Sequence, residues 1–226
     1  MQFEENLRQR LLSLKDEAYY DFTANLVPGS THIGIRIPVL RKLAKEFLKE
    51  DYEKYLAVKS LYSEEKMIKG FIIAGLKKEF SIILRYLEAI LPEIDNWSIC
   101  DSVASSLKIF KKHLQEGKSF IDSCLKSEST YTIRFGLILL LCYYINDDYL
   151  DYIFNVIETI KSEEYYVRMA LAWLISVLYV KYPEETLRLF DGRLDKFTHN
   201  KAISKICDSM QVPKEKKDYL RSFRRK

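Results

Sequence analysis

Three stretches of this chain repeat one design. "SEEKMIKGFIIAGL" (63–76), "SESTYTIRFGLILLL" (127–141) and "SEEYYVRMALAWLIS" (162–176) each open on Ser-Glu, place a basic residue six or seven positions later (Lys69, Arg134, Arg168) and run into an apolar segment. Recurrence at about 35 residues, or twice that, is the period of stacked helix pairs, since one pair cannot bury its apolar face without a neighbour of the same kind. A serine and an acidic first turn suit a helix start, where free amides and the positive end of the helix need acceptors and negative charge. Elsewhere apolar residues recur at three and four positions almost throughout, and strand-like alternation is nearly absent. Seven Gly and five Pro in 226 residues are too few to turn the many short strands of a sandwich. Helices are predicted at roughly 3–25, 36–49, 51–59, 63–77, 79–91, 95–113, 117–126, 129–145, 148–161, 163–181, 183–191, 198–209 and 213–224, with a loop over 25–35 that contains Pro28 and Gly29.

The expected fold is therefore all-α: an α-solenoid of HEAT-like helix pairs forming a curved right-handed superhelix with a concave groove. One domain is expected over 1–226, with basic helices at 196–226. In such arrays a cation early in the second helix of a pair commonly bridges to acids of the next repeat. Lys69 and Arg168 fit that structural role, and Arg134 fits it too.

Net charge is only +4, but its distribution is uneven: residues 196–226 hold ten Lys/Arg against three acids. A basic segment on a near-neutral body suits a polyanion binder, and a solubilising tail is the other reading. The candidate contacts within it are Lys201, Lys205, Lys214, Lys216 and Lys217. Cys100, Cys124, Cys142 and Cys207 form no CxxC pair, and His32, His113 and His199 are scattered, so no metal-ligand spacing appears and neither metal nor organic cofactor is expected. The start "MQFEENLRQR" lacks the apolar core of a signal peptide, and the longest apolar run, "FGLILLLCYYI", is too short to span a bilayer. A cytoplasmic monomer with no membrane contact is the expectation.

The candidate site starts from "IDNWSICDSVA" (94–104), where Trp97 and Asp101 lie four apart and share one helical face. Trp97, Arg134 and Trp173 are 37 and 39 residues apart, close to one repeat each, and fall on the second helix of three successive pairs. Second helices of a solenoid line one side, so these side chains are expected to converge on the concave groove.

These motifs carry a resemblance. "DNWSICD", "TIRFGLILL" and "EEYYVRMALAW", with "GIRIPVLRKLAKEF" (34–47) and "HNKAISKICDS" (199–209), are similar to those of the AlkD-like DNA alkylation repair family, and the likeness covers nearly the whole chain. It implies a DNA glycosylase that releases N3- and N7-alkylated, cationic purines from duplex DNA without flipping the lesion into a deep pocket. It also implies that Trp97, Asp101 and Trp173 form the catalytic cleft and that Arg134 contacts the DNA backbone. The chain departs from the pattern at "ANLVPGSTHIGI", where active members carry a helical, aromatic-containing segment. The alternatives are a non-catalytic DNA binder of the same fold and, more distantly, a protein-interaction solenoid.

Overall fold

The computed structural model describes residues 2–226, which form fourteen α-helices and no β-strand among the described residues. The chain divides into two compact units, residues 1–109 and 110–226, each with its own core.

The first unit contains α1 (Gln2–Leu12), α2 (Glu17–Leu26), α3 (Ile37–Phe47), α4 (Tyr52–Leu56), α5 (Ser63–Gly75), α6 (Phe80–Ile90) and α7 (Trp97–Ala104). The periodicity read from sequence is the packing pattern. α3 buries Leu40, Leu43, Ala44 and Phe47, and α6 buries Phe80, Ile83, Leu87 and Ile90, each a single stripe facing the core. Burial of each leucine, isoleucine or phenylalanine among them stabilises the unit by about 1.5 to 3 kcal/mol. α5 is buried on most sides because α3, α6 and α7 all pack on it. Where α7 crosses α5, Gly70 faces Val103, and a Cβ at Gly70 would overlap the valine methyl groups.

The predicted helix 3–25 is two helices. The first ends at Leu12 and Asp16 caps the second, accepting the Tyr19 amide at 3.0 Å, while the Arg36 guanidinium holds the same carboxylate at 2.7 Å. Residues 27–36 are non-helical, as the loop reading expected. The buried Glu64 carboxylate fixes that loop by accepting the amides of Ile33, Gly34 and Ile35 at 3.0, 2.8 and 3.2 Å. Gly34 has φ +94° and its backbone lies against Tyr20, whose Cβ would be 2.6 Å from a Cβ at that position, so no other residue fits there without strain.

The second unit contains α8 (Leu114–Leu125), α9 (Thr130–Leu139), α10 (Leu150–Thr159), α11 (Tyr165–Lys181), α12 (Pro183–Leu187), α13 (Lys196–Asp208) and α14 (Lys214–Ser222). α9, α11 and α13 pack side by side, with α8 against α9, α12 against α11 and α14 against α13, the stacking of helix pairs expected of an α-solenoid. α11 carries buried residues all along its length because it has neighbours on both flanks. α9 continues into a π-helical turn, Leu140–Tyr144, from which the buried Tyr144 hydroxyl donates to the Leu114 carbonyl at 2.7 Å.

Two further expectations are corrected. The predicted helix 95–113 ends at Ala104, because the hydroxyls of Ser105 and Ser106 both donate to the Ser102 carbonyl, at 3.3 and 2.6 Å, and compete with the helical ladder. The leading serine of the repeated motif is not the helix cap. Ser127 and Ser162 instead accept the amide two residues on, each at 3.1 Å, which turns the chain before the helix begins. Ser129 then caps α9, while Ser63 already lies inside α5, whose Glu65 carboxylate accepts the amides of Leu61 and Tyr62 at 2.6 and 2.9 Å.

Candidate nucleic-acid interface

In the first unit, α7 sets Trp97 and Asp101 on its half-buried face. Asn96 caps the helix by accepting the Ile99 amide at 3.1 Å. Ile99, Cys100, Val103 and Ala104 turn into the core, which leaves Trp97, Asp101 and Ser102 half-buried on the opposite side. The indole is thus not a core tryptophan, and the carboxylate is not the cap of its own helix. Gly70 sets how closely this helix can sit on α5, and so where both side chains stand.

In the second unit, Trp173 lies half-buried on α11 and faces α13, where the Lys205 ammonium is 6.0 Å from the ring centroid. Trp173, Ser176, Val177, Val180, Lys205 and Asp208 line a cavity of about 400 Å³. Arg134 on α9 is buried, and its Nη1 donates to the Tyr166 carbonyl at the start of α11 at 2.8 Å. The other two motif cations also bridge: Lys69 donates to both oxygens of Glu93 at 2.7 and 3.0 Å, and Arg168 reaches Glu163 at 3.0 Å and the α13 cap Asp195 at 3.8 Å.

A model of the family described as DNA alkylation repair enzyme matches residues 7–203. The chain belongs to that family. The matched stretch takes in Trp97, Asp101, Arg134, Trp173 and Lys201 and stops before Lys205 and all of α14. No curated protein matches the chain.

The family's matched stretch and the basic segment therefore overlap only in part, and the structure sorts the lysines accordingly. Lys201 and Lys205 lie one turn apart on α13, Lys205 beside Trp173 and Lys201 lining a cavity with Arg168; Trp173 and Arg168 are both residues of α11. Lys214, Lys216 and Lys217 are on α14 and line neither the Trp173 cavity nor the one beside Lys201; Lys216 lies 3.7 Å from Glu184. The cavity beside Lys201 is absent from the sequence reading, which treated Arg168 only as a rung between repeats. It brings Arg168, Lys196 and Phe197 together with Arg224 from the last residues of the chain. The readable signal was "KFTHNK", an aromatic between lysines; the arginines arrive only by folding.

One buried titratable group belongs to this region. His199 is 1% exposed, and its Nε2–H donates to the Phe223 carbonyl at 2.8 Å while Nδ1 meets no partner. Burial pushes its pKa below the ordinary histidine value, against the opposing effect of the Phe223 hydrogen bond. No helix is long and apolar enough to cross a membrane among the described residues.

Proposed function

We propose that this protein is a DNA N-glycosylase that removes N3- or N7-alkylated purines from duplex DNA. The observation that carries the reading is the pairing of Trp97 with Asp101 on the half-buried face of α7, in a member of a DNA alkylation repair family. An N3- or N7-alkylpurine is already cationic. When the C1′–N9 bond breaks, the electron pair goes to the base and neutralises it, so no general acid is needed. The charge then develops on the sugar, at C1′ and O4′. A fixed carboxylate stabilises that cation and orients the water that adds to C1′, accepting the proton the water gives up, and Asp101 is assigned this role. Indole faces attract cationic groups by about 0.5 to 2 kcal/mol, the role assigned to Trp97 and Trp173. Arg134, its Nη1 already oriented by the Tyr166 carbonyl, is assigned to the phosphate backbone, with Lys201 and Lys205 and, less directly, the lysines of α14.

The test is a single-turnover assay on a duplex carrying one N7-methylguanine. Release of the free base, leaving an abasic site, is expected; tight binding without release supports the second reading, a non-catalytic DNA binder. The feature favouring that second reading is the loop at residues 27–36, where the resemblance leads one to expect a helical segment.

A further inference from the structure

The last residues of the chain are latched onto α13. Asn200 donates to the Arg225 carbonyl at 2.8 Å and accepts its amide at 3.0 Å, Arg225 Nη1 donates to the Leu194 carbonyl at 2.8 Å, and His199 holds the Phe223 carbonyl. This latch carries Arg224 to Ser204, whose hydroxyl it reaches at 2.9 Å. Arg224 thereby becomes one wall of a cavity of about 620 Å³, with Arg168, Asp195, Lys196, Phe197, Lys201 and Ser204 among the others. That volume lies within the range of about 300 to 1,000 Å³ typical of small-ligand sites.

The charges there are unbalanced. Arg168 is offset by Glu163 and Asp195, and Asp195 is itself occupied in capping α13 through the Thr198 amide at 3.0 Å. Lys196, Lys201 and Arg224 form no ion pair among the described residues, so with Arg168 the concavity sets four cations against one lining carboxylate, that of Asp195. Arg168 also has a buried Nε–H that meets no acceptor. Beside these cations stands a flat wall: the half-buried Phe197 ring, with the Arg168 guanidinium 4.8 Å and the Tyr165 ring 5.8 Å from its centroid. Ser204 and Arg224 lie beyond the stretch matched by the family.

We propose that this cavity binds a terminal phosphate monoester attached to a nucleoside, with Lys196, Lys201 and Arg224 on the phosphate and Phe197 against the nucleoside. A monoester carries a charge of about −1.5 to −2 at neutral pH, against one per internal phosphodiester, and so matches three convergent cations better than a stretch of continuous backbone does. The monoester has two sources, a free nucleotide or the 5′ end of a DNA strand. The site does not depend on base excision, since its ligand carries no lesion.

The experiment measures equilibrium binding of the full chain, by calorimetry, to deoxyadenosine 5′-monophosphate, to deoxyadenosine, and to one undamaged duplex made with 5′-phosphate or with 5′-hydroxyl ends. The monophosphate is expected to bind at least about tenfold tighter than the nucleoside. A similar gain for the phosphorylated duplex assigns the site to strand ends; a gain confined to the free compound assigns it to nucleotides. Lys196→Gln with Arg224→Gln should abolish the gain while leaving the affinity for the 5′-hydroxyl duplex within about twofold. Both side chains are exposed, and an unchanged melting temperature checks the fold. The wild-type comparison stands without any variant: if the 5′-phosphate adds nothing in either pair, the proposal is overturned. It is equally overturned if the folded double variant keeps the gain.

Discussion

Trp97 and Trp173 are both half-buried indoles, yet they keep opposite company. Trp97 shares a helix face with the Asp101 carboxylate one turn on, whereas Trp173 meets the Lys205 ammonium from a neighbouring helix at 6.0 Å. The first pair is held by one backbone, α7, capped by Asn96 and seated on Gly70, so its geometry changes only if the helix moves. The second joins α11 to α13 through a long lysine stem, beside a cavity of about 400 Å³. A rigid anion suits a charge that develops at one atom. A point charge on a long stem suits a phosphate backbone whose register varies.

The largest effect expected from breaking this contrast is at Asp101. Asp101→Asn keeps the shape and removes the charge, and should slow N7-methylguanine release by roughly a hundred- to a thousandfold, about 2.7 to 4 kcal/mol, with duplex affinity nearly unchanged. Single-turnover rates beside a binding isotherm decide it, and wild-type excision by the Asn variant would remove Asp101 from the chemistry.

Next in size is the seat of the first pair. Gly70→Ala places a methyl group into the Val103 side chain, a β-branched residue with little freedom to turn away. Overpacking of this kind costs about 1 to 3 kcal/mol, read as a melting temperature lower by about 2 to 4 °C per kcal/mol for a chain of this size. A double substitution, Gly70→Ala with Val103→Ala, should recover part of the loss. No recovery would mean that the helices are not in contact through these two residues.

A smaller effect is expected at the second pair. Lys205→Met removes one cation beside Trp173 and should weaken duplex binding a few-fold, with the log–log salt slope reduced by about 0.9 if the lysine meets one phosphate. An unchanged slope would take Lys205 out of the DNA footprint.

The smallest expected effect concerns pH. Because burial lowers the His199 pKa in the folded protein, the unfolded chain binds the proton more readily. The stability of the neutral ring is therefore full above the ordinary value of 6.5 and is lost as pH falls through the lower folded value. Melting temperatures between pH 7.5 and 5, for wild type and His199→Phe, should diverge in slope below about 6.5, since the neighbouring Asp195 is held below the usual carboxylate range and stays ionised there. Parallel slopes would show that protonation of His199 is not coupled to the docking of the last residues.

How much of this was readable from the chain depends on the distance over which each feature is decided. The helices were readable because their signals repeat every three or four residues. The failures were local competitions that periodicity does not register: Asp16 capping a second helix inside the predicted 3–25, and serine hydroxyls ending α7 at Ala104. The Trp97 and Asp101 face was readable because both residues ride on one helix, so their spacing in the chain is their spacing in space. Lys205 was readable as a candidate for its charge, but not as the partner of Trp173.

The amino-acid sequence alone determined the all-helical class and the shared face of Trp97 and Asp101, each set by residues within two or three turns of one another, and the repeat, set by the recurrence of like segments along the chain. Only the tertiary structure decided that Lys205 stands over Trp173, that Gly70 admits Val103, and that Arg224 joins Arg168 and Lys196 around one cavity. Those contacts link residues some 30 or more positions apart, and the packing of side chains between neighbouring helices, which no spacing along the chain encodes, sets which of them meet.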